Sequence, residues 1–485
     1  MTKVKIGLEV HCQLTCLRSK LFCSCSSDYR KASANSLVCP VCLGIPGSLP
    51  VLNKKALEAA ISVALALNCK LHKTIFFWRK NYAYPDMSKN FQISQFDRVG
   101  GVPIASNGKV TITVNHDRKD IRIRRIHLEE DPARLIYPST IDSSPYTLVD
   151  YNRSGIALLE IVTDPDLSSP KEARTFLQRI RTILEYLAVS DGTLEGAMRC
   201  DANISIDGGP RVEIKNISSF KEVERAFHFE IIRQRDLKRK DRSIKRETRH
   251  WDEKNRVTIS LRGKEQEHDY RYFPEPDLMP ITIQDSQVEE IRSTMAELPD
   301  ARKERLIREH KIPTYDAEII SNDKHLADFF EKSARLYKDP KVVSNWLIGD
   351  FLRYVHEADL EINQVKTTPE DLVEMLDLID EGKITGKIAK PVLEEMISTG
   401  RTPETIVREK GLIRISDLKQ LERYVDRIFK KNPKAVKDAV KDPNAVHYIV
   451  GQLMKLTEGK ADPILANKIV HEKIEQIREI SLSDS

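Results

Sequence analysis

No stretch of about 18 apolar residues runs anywhere in the 485-residue chain, so no membrane-spanning helix is expected. The opening MTKVKIGLEV has no apolar core followed by small residues. No secretory signal is therefore expected, and the reading is a cytoplasmic protein. The phosphate loop GxxxxGK[ST] is missing, as is a GxGxxG that opens a helix. If the chain uses a nucleotide, it holds it on carboxylates and basic residues of a sheet, not on a glycine-rich loop. Internal repeats and low-complexity tracts are absent too. Eight cysteines are few for so long a chain, which argues against a disulfide framework.

What is present describes an ordinary globular chain. Hydrophobic residues make up 40% and charged residues 31%, enough apolar mass for real cores. Length alone suggests about three domains. The net charge is only +5, but the cations are uneven. Arg233 to Arg249 holds nine Lys or Arg against three acids, which is either a solvated helix face or a contact for a polyanion such as RNA.

The first 288 residues read as α+β, with a mixed or antiparallel sheet. VKIGLEVHCQL, KVTITVN, IRIRRIHLE, ANISI and RVEIKNI alternate like strands. NKKALEAAISVALALN is a helix with Asn53 as its cap, and SSPKEARTFLQRIRTILEYLAV is another, with Ser169 as cap and Pro170 in the first turn. From about Glu289 the pattern turns helical. A Gly and Thr-Pro pair near Gly400 suggests a break, giving domains at 1–288, 289–400 and 401–485.

Four cysteines stand apart from the rest. Cys23 and Cys25 form CxC, Cys39 and Cys42 form CPVC, and 13 residues separate the pairs. Such a set can place four thiolates around one tetrahedral zinc. The loop between the pairs has no apolar core of its own, so a metal would supply what a core usually does. A closed four-sulfur site leaves no open position for a substrate, so its role is structural. Cys12, Cys16, Cys69 and Cys200 are scattered and read as packing residues or loose thiols.

Acids and histidines recur at strand spacing. Glu9 and His11 are two apart; so are Asp201 and Asn203, and Glu213 and Lys215. His127, Glu129 and Asp131 share one periodicity, with Glu130 between them. Carboxylates gathered from several strands repel unless a cation offsets them, and Mg²⁺ that also binds phosphate oxygens does this. The bland alternative for each is a surface salt bridge. Three loops, around RKNYAYPDMSKNFQISQFD, VDYNRSGIALLEIVTDPD and HDYRYFPEPDL, combine Arg, Tyr, Asn, Gly and Pro as a site for a polar or anionic ligand would.

GLEVHCQL, SKLFCSCS, VCPVCLGIPGSLPVLN, RKNYAYPDMSKNFQISQFD, RIHLEEDPAR, VDYNRSGIALLEIV, MRCDANISI, VEIKNISSF, ETRHWD and DYRYFPEPDL together resemble the B-subunit family of the tRNA-dependent amidotransferases. They follow the family's order from about Lys5 to Leu278, and YIVGQLMKLTEGKADPILAN resembles its C-terminal helical domain. The resemblance implies a glutamine-synthetase-like catalytic cradle followed by helical and tRNA-binding tail domains. It implies a heterotrimer with a glutamine-hydrolysing amidase subunit and a small third subunit. It also implies ATP-dependent phosphorylation of the side-chain carboxylate on Glu-tRNA(Gln) or Asp-tRNA(Asn), then amidation by ammonia.

The resemblance assigns roles position by position. Zinc falls on Cys23, Cys25, Cys39 and Cys42. Mg²⁺ falls on Glu9, His11 and Glu129, with Glu130, Asp201 and Glu213 as further candidates. Glu9, His11, Glu129, Arg153, Arg199 and Lys215 fall on the catalytic set, and Arg79, Lys80, Tyr82, Tyr84 and Arg271 on the motifs around ATP.

Some features depart from the family's pattern. The IDGGPRVEIKN connection is short, as in archaeal members, and the basic run before ETRHWD is heavier than usual. A non-catalytic zinc-containing RNA adaptor would explain the cysteines and the Lys-rich tail but not the carboxylates. The related E-type subunit, partner of an asparaginase-like protein, carries an inserted domain that the direct run from DYRYFPEPDLMPITI into helices disfavours.

Overall fold

The computed structural model describes residues 3–483 except 99, 116, 140–143, 192, 193, 195, 264–269, 413–416, 442–444, 458 and 459. Glu458 and Gly459 of the tail motif, and Asp269 at the head of DYRYFPEPDL, thus lie outside the described residues. Two compact units divide the chain, Met1–Pro299 and Asp300–Ser485.

The first unit is built on a sheet whose strands are β1 (Val4–Gln13), β2 (Lys70–Leu71), β3 (Ala105–Val114), β4 (Asp117–Glu130), β5 (Ala157–Thr163), β6 (Met198–Ile206), β7 (Val212–Lys215), β8 (Glu247–Asp252) and β9 (Val257–Gly263). Their order across the sheet is β9-β8-β7-β6-β1-β5-β4-β3-β2. Only β7 and β8 run parallel; the other neighbours are antiparallel.

Side chains alternate across a strand, so each strand sends one set to either face. Ile6, Leu8 and Val10 of β1, Ile126 and Leu128 of β4, Leu159 and Ile161 of β5, and Ala202 and Ile204 of β6 are all buried in one core. Three helices contribute to that core: α1 (Lys54–Ala66), α2 (Pro170–Tyr186) and α3 (Phe220–Arg239). Each starts where the sequence supplies a cap. The Asn53 carboxamide oxygen accepts from Lys55 N at 2.9 Å, and Ser169 Oγ from Glu172 N at 3.2 Å. Burying each large aliphatic side chain of such a core contributes about 1.5–3 kcal/mol, so the register of β1 is held firmly. The opposite set of residues, Glu9, His11, Arg199, Asp201, Asn203, Glu160 and His127, is thereby fixed on the other face.

A smaller sheet of Phe273–Pro274, Trp78–Asn81 and Phe91–Ser94 adjoins β4. The second unit is helical and has two separate apolar cores. One gathers Leu306, Phe330, Leu347, Phe351, Leu376 and Leu393, and still includes Ile406 and Val407 beyond Gly400. The other gathers Leu421, Val425, Ile449, Leu453 and Val470. No helix among the described residues is long and apolar enough to cross a membrane.

Candidate active site and cysteine centre

β1 is the centre of the polar face because it pairs on both sides with strands distant in sequence. Glu9 stands opposite Asp201 on β6, and His11 lies between Arg199 and Glu160. Asn203 stands opposite Glu213 on β7, and Glu160 opposite His127 on β4. Carboxylate oxygens of Glu9, Asp201 and Glu213 all lie within 4.8 Å of one another. Beside them, His11 Nε2 is 3.6 Å from Glu129 Oε1. The structure thus brings five of the six carboxylate and histidine candidates together, in one group of three and one pair.

The sixth, Glu130, points elsewhere. Lys89 and the backbone N–H of Ile93, at 2.8 Å, hold its carboxylate. The alternation that faces Glu129 to the site turns its neighbour away.

The electrostatics of the face suit a cation. Lys215 Nζ pairs with Asp201 Oδ2 at 2.9 Å. Burial alone would push the Asp201 carboxyl up, but Lys215 and then His11 hold it below its ordinary value. For Lys215 the opposite holds: burial works against its charge, and Asp201, Glu213 and Glu9 outweigh burial and raise it. Asn203 donates to Glu9 Oε1 at 3.0 Å, which fixes the orientation of its amide, and its buried Oδ1 has no hydrogen-bond partner. A buried acceptor left bare is costly, and a metal ion or its water satisfies it. Thr248 Oγ1 donates to Glu213 at 2.9 Å and Ser94 Oγ to Glu129 at 2.8 Å, orienting both carboxylates.

Two arginines are aimed by one acid. Asp131 is almost wholly buried and accepts from Arg153 at 2.6 Å, Arg199 at 2.8 Å and Gln13 at 3.0 Å. Burial would raise its carboxyl, yet Arg199 and Arg153 hold it below its ordinary value. Arg199 remains 44% exposed, so its outer edge is free to meet an anion, while Arg153 is at 13% and mostly enclosed. Similarly, burial disfavours the Glu160 carboxylate, and the hydrogen bond and charge of His127 with the charge of Arg125 outweigh that.

The aromatic and basic residues form a separate group on the small sheet. Arg79 is committed: its guanidinium forks onto Glu275 at 2.7 and 2.8 Å, reaches Asp277 at 3.0 Å and stacks 4.2 Å over Phe91. Lys80 Nζ lies 4.9 Å from the Tyr270 ring centre and 5.8 Å from that of Tyr82. The Tyr82 phenol is pushed up by burial and by Asp86, Glu129 and Glu130, so it stays neutral. Tyr84 is exposed, as is the side chain of Arg271, whose carbonyl accepts from Asn81 at 2.8 Å.

The four knuckle cysteines converge, with sulfur atoms all within 4.8 Å of one another. Cys42 is drawn well down by the Cys23 thiol that donates to it, and Cys23 is driven up by the same contact. Ser88 and Ser154 both donate to the Cys42 carbonyl, at 2.8 and 3.0 Å, which joins the knuckle to the loop that carries Arg153. Among the described residues no other group of three or more metal-ligating side chains converges.

Sequence reasoning gave Asp131 and His127 a place in an alternation, and Glu160 a place on the strand after Gly155, but gave none of the three a role. The signal for Asp131 was there, two residues beyond Glu129 on the same face.

Residues 4–289 match the GatB/GatE catalytic domain model and residues 328–474 the GatB domain model. The aspartyl/glutamyl-tRNA(Asn/Gln) amidotransferase B-subunit of Sulfolobus acidocaldarius is 49% identical over 97% of this chain and 99% of its own length. The proteins of the same name from Sulfurisphaera tokodaii and Thermotoga maritima are 50% and 46% identical, over 96% and 97% of this chain and 98% of each relative. The chain belongs to the B-subunit family of the aspartyl/glutamyl-tRNA(Asn/Gln) amidotransferases, amide-forming ligases of protein biosynthesis.

Proposed function

We propose that the polar face of the first unit activates the side-chain carboxylate of Glu-tRNA(Gln), Asp-tRNA(Asn) or both by ATP-dependent phosphorylation, and then amidates it with ammonia. The observation that carries this reading is the Glu9–Asp201–Glu213 cluster with the bare Oδ1 of Asn203 beside it. Three carboxylates and a neutral amide oxygen are the donor set of a hard cation, and they suit Mg²⁺. Glu9, Asp201 and Glu213 would hold it, with His11 and Glu129 as an adjacent donor pair. Bound there, Mg²⁺ would neutralise charge on a transferring phosphoryl group.

The chain's own cations do the rest. A free carboxylate resists ammonia because oxide would have to leave, whereas a phosphorylated one releases phosphate. Lys215, beside Asp201, and the exposed edge of Arg199 supply positive charge where a phosphoryl group lies against the carboxylate face. Asp131 keeps both Arg199 and Arg153 in place. Lys80, Tyr82, Tyr84 and Arg271 would contact ATP, and Arg79 would serve them by fastening the Glu275 loop to the strand beneath.

Membership of a B-subunit family implies further chains in the working enzyme. An amidase subunit would deliver ammonia from glutamine, a small third subunit would complete a heterotrimer, and the complex would work in the cytoplasm. In this reading residues 1–288 are catalytic, 289–400 form a helical domain and 401–485 bind tRNA. The test is amide formation on misacylated tRNA with ammonium in place of glutamine, which bypasses the amidase subunit.

Cys23, Cys25, Cys39 and Cys42 fit a structural zinc with every position filled by sulfur. Metal analysis of the purified chain is expected to find one zinc per folded molecule. Folded, active protein without zinc would contradict this assignment.

A further inference from the structure

Lys20 is the one lysine among the described residues with no exposed surface at all. Its ammonium reaches the Leu37 carbonyl at 2.8 Å, the Tyr151 carbonyl at 3.4 Å and Cys42 Sγ at 3.6 Å. Among the described residues, no carboxylate lies within ion-pair distance of it. A buried ammonium is costly unless an anion stands beside it, and carbonyls offer dipoles without net charge. The group within reach that can carry a full negative charge is a thiolate of the knuckle.

The placement is specific. Lys20 N donates to the Cys25 carbonyl at 3.0 Å while its side chain reaches Cys42, so one residue joins both cysteine arms. Gly155, at φ +84°, makes room for the stem: a Cβ there would stand 3.3 Å from Cys42 Cβ and 3.6 Å from Lys20 Cδ. Four thiolates around a divalent metal carry a formal charge of about −2, and one ammonium against them halves it.

We propose that Lys20 is the charge partner of the cysteine centre: its buried ammonium offsets the negative charge of a metal tetrathiolate and so tightens the hold on the metal. This rests on the zinc reading of Cys23, Cys25, Cys39 and Cys42. Lys20 does not ligate the metal; it acts through the sulfurs. Partners of that kind typically change metal affinity by about 10–100-fold.

The test uses the full-length chain with Lys20→Met, which keeps the stem and removes the charge, and Lys20→Gln, which keeps a donor for the carbonyls and removes the charge. Zinc transfer to a chromogenic chelator and thermal melting are followed for zinc-loaded and zinc-stripped protein. Both variants are expected to bind zinc about 10–100-fold more weakly than the parent. Lys20→Met is expected to lower the melting temperature less in the zinc-stripped than in the zinc-loaded state, since fewer thiolates then stand against the ammonium it removes. Parent-like zinc affinity in both variants would overturn the proposal. So would an equal fall in melting temperature with and without zinc, including failure to fold in either state, because that is a packing defect. If the parent itself binds no zinc, the zinc reading fails and the proposal falls with it. If the parent binds one zinc and the variants bind it equally well, only the proposal fails.

Discussion

Glu9→Gln is expected to lower ATP-dependent amide formation by at least about a hundredfold while tRNA binding survives, and His11→Ala is expected to do the same. Glu9 lies on the central strand, flanked by Asp201 and oriented by the Asn203 amide. Gln has the same shape but no charge, so the cluster loses one of its three carboxylates. His11→Ala removes the ring that faces Glu129 across 3.6 Å. Neither residue is one of the lysines and arginines that meet phosphates, and contacts to phosphates supply most nucleic-acid affinity. Measuring tRNA binding and product formation on the same preparation separates the two roles. Loss of binding without a separate defect in chemistry would contradict the metal role of these residues.

Asp131→Asn is expected to cost about 3 kcal/mol of stability at neutral pH and to lower activity as well. Removing one member of a buried ion pair usually costs about 3–5 kcal/mol, and the lower end applies because Arg199 is partly exposed and can turn to water. The pH dependence has a definite sign. The folded carboxyl of Asp131 sits below its ordinary value, so its contribution is fully present above the unfolded value of about 3.9. That contribution is lost as pH falls through the lower, folded value. Melting curves of parent and variant should therefore differ most near neutral pH and converge below about pH 4. A gap that stays constant into acid would show that Asp131 acts by packing alone.

The strands and their faces were legible because one physical rule, alternation at period two, governs both burial and pairing. That rule placed Glu9 with His11 and Asp201 with Asn203. It could not say that β1 pairs with both β5 and β6, because those strands come from far along the chain. Asn203 meets Glu9 across 194 residues of sequence, and Arg79 meets Glu275 across 196. The commitment of Arg79 to a loop anchor was invisible for the same reason.

The cysteine quartet was the plainest signal in the sequence, since its four ligands lie within one short segment. Lys20 was hidden just outside it, three residues before Cys23. Nothing in its neighbours distinguishes a lysine that folds inward from one that stays in water. The family resemblance supplied what periodicity could not, namely the substrate class, and the geometry then sorted the implied residues by what each one touches.

The central claim is that this chain, in its complex, makes an amide on a misacylated tRNA at the expense of ATP. The direct measurement gives the reconstituted complex ATP, Mg²⁺ and ammonium with Glu-tRNA(Gln) or Asp-tRNA(Asn), and identifies the amino acid on the recovered tRNA. The expected result is Gln or Asn on the tRNA only when ATP is present, without any need for glutamine. No ATP-dependent amide on either substrate would contradict the account.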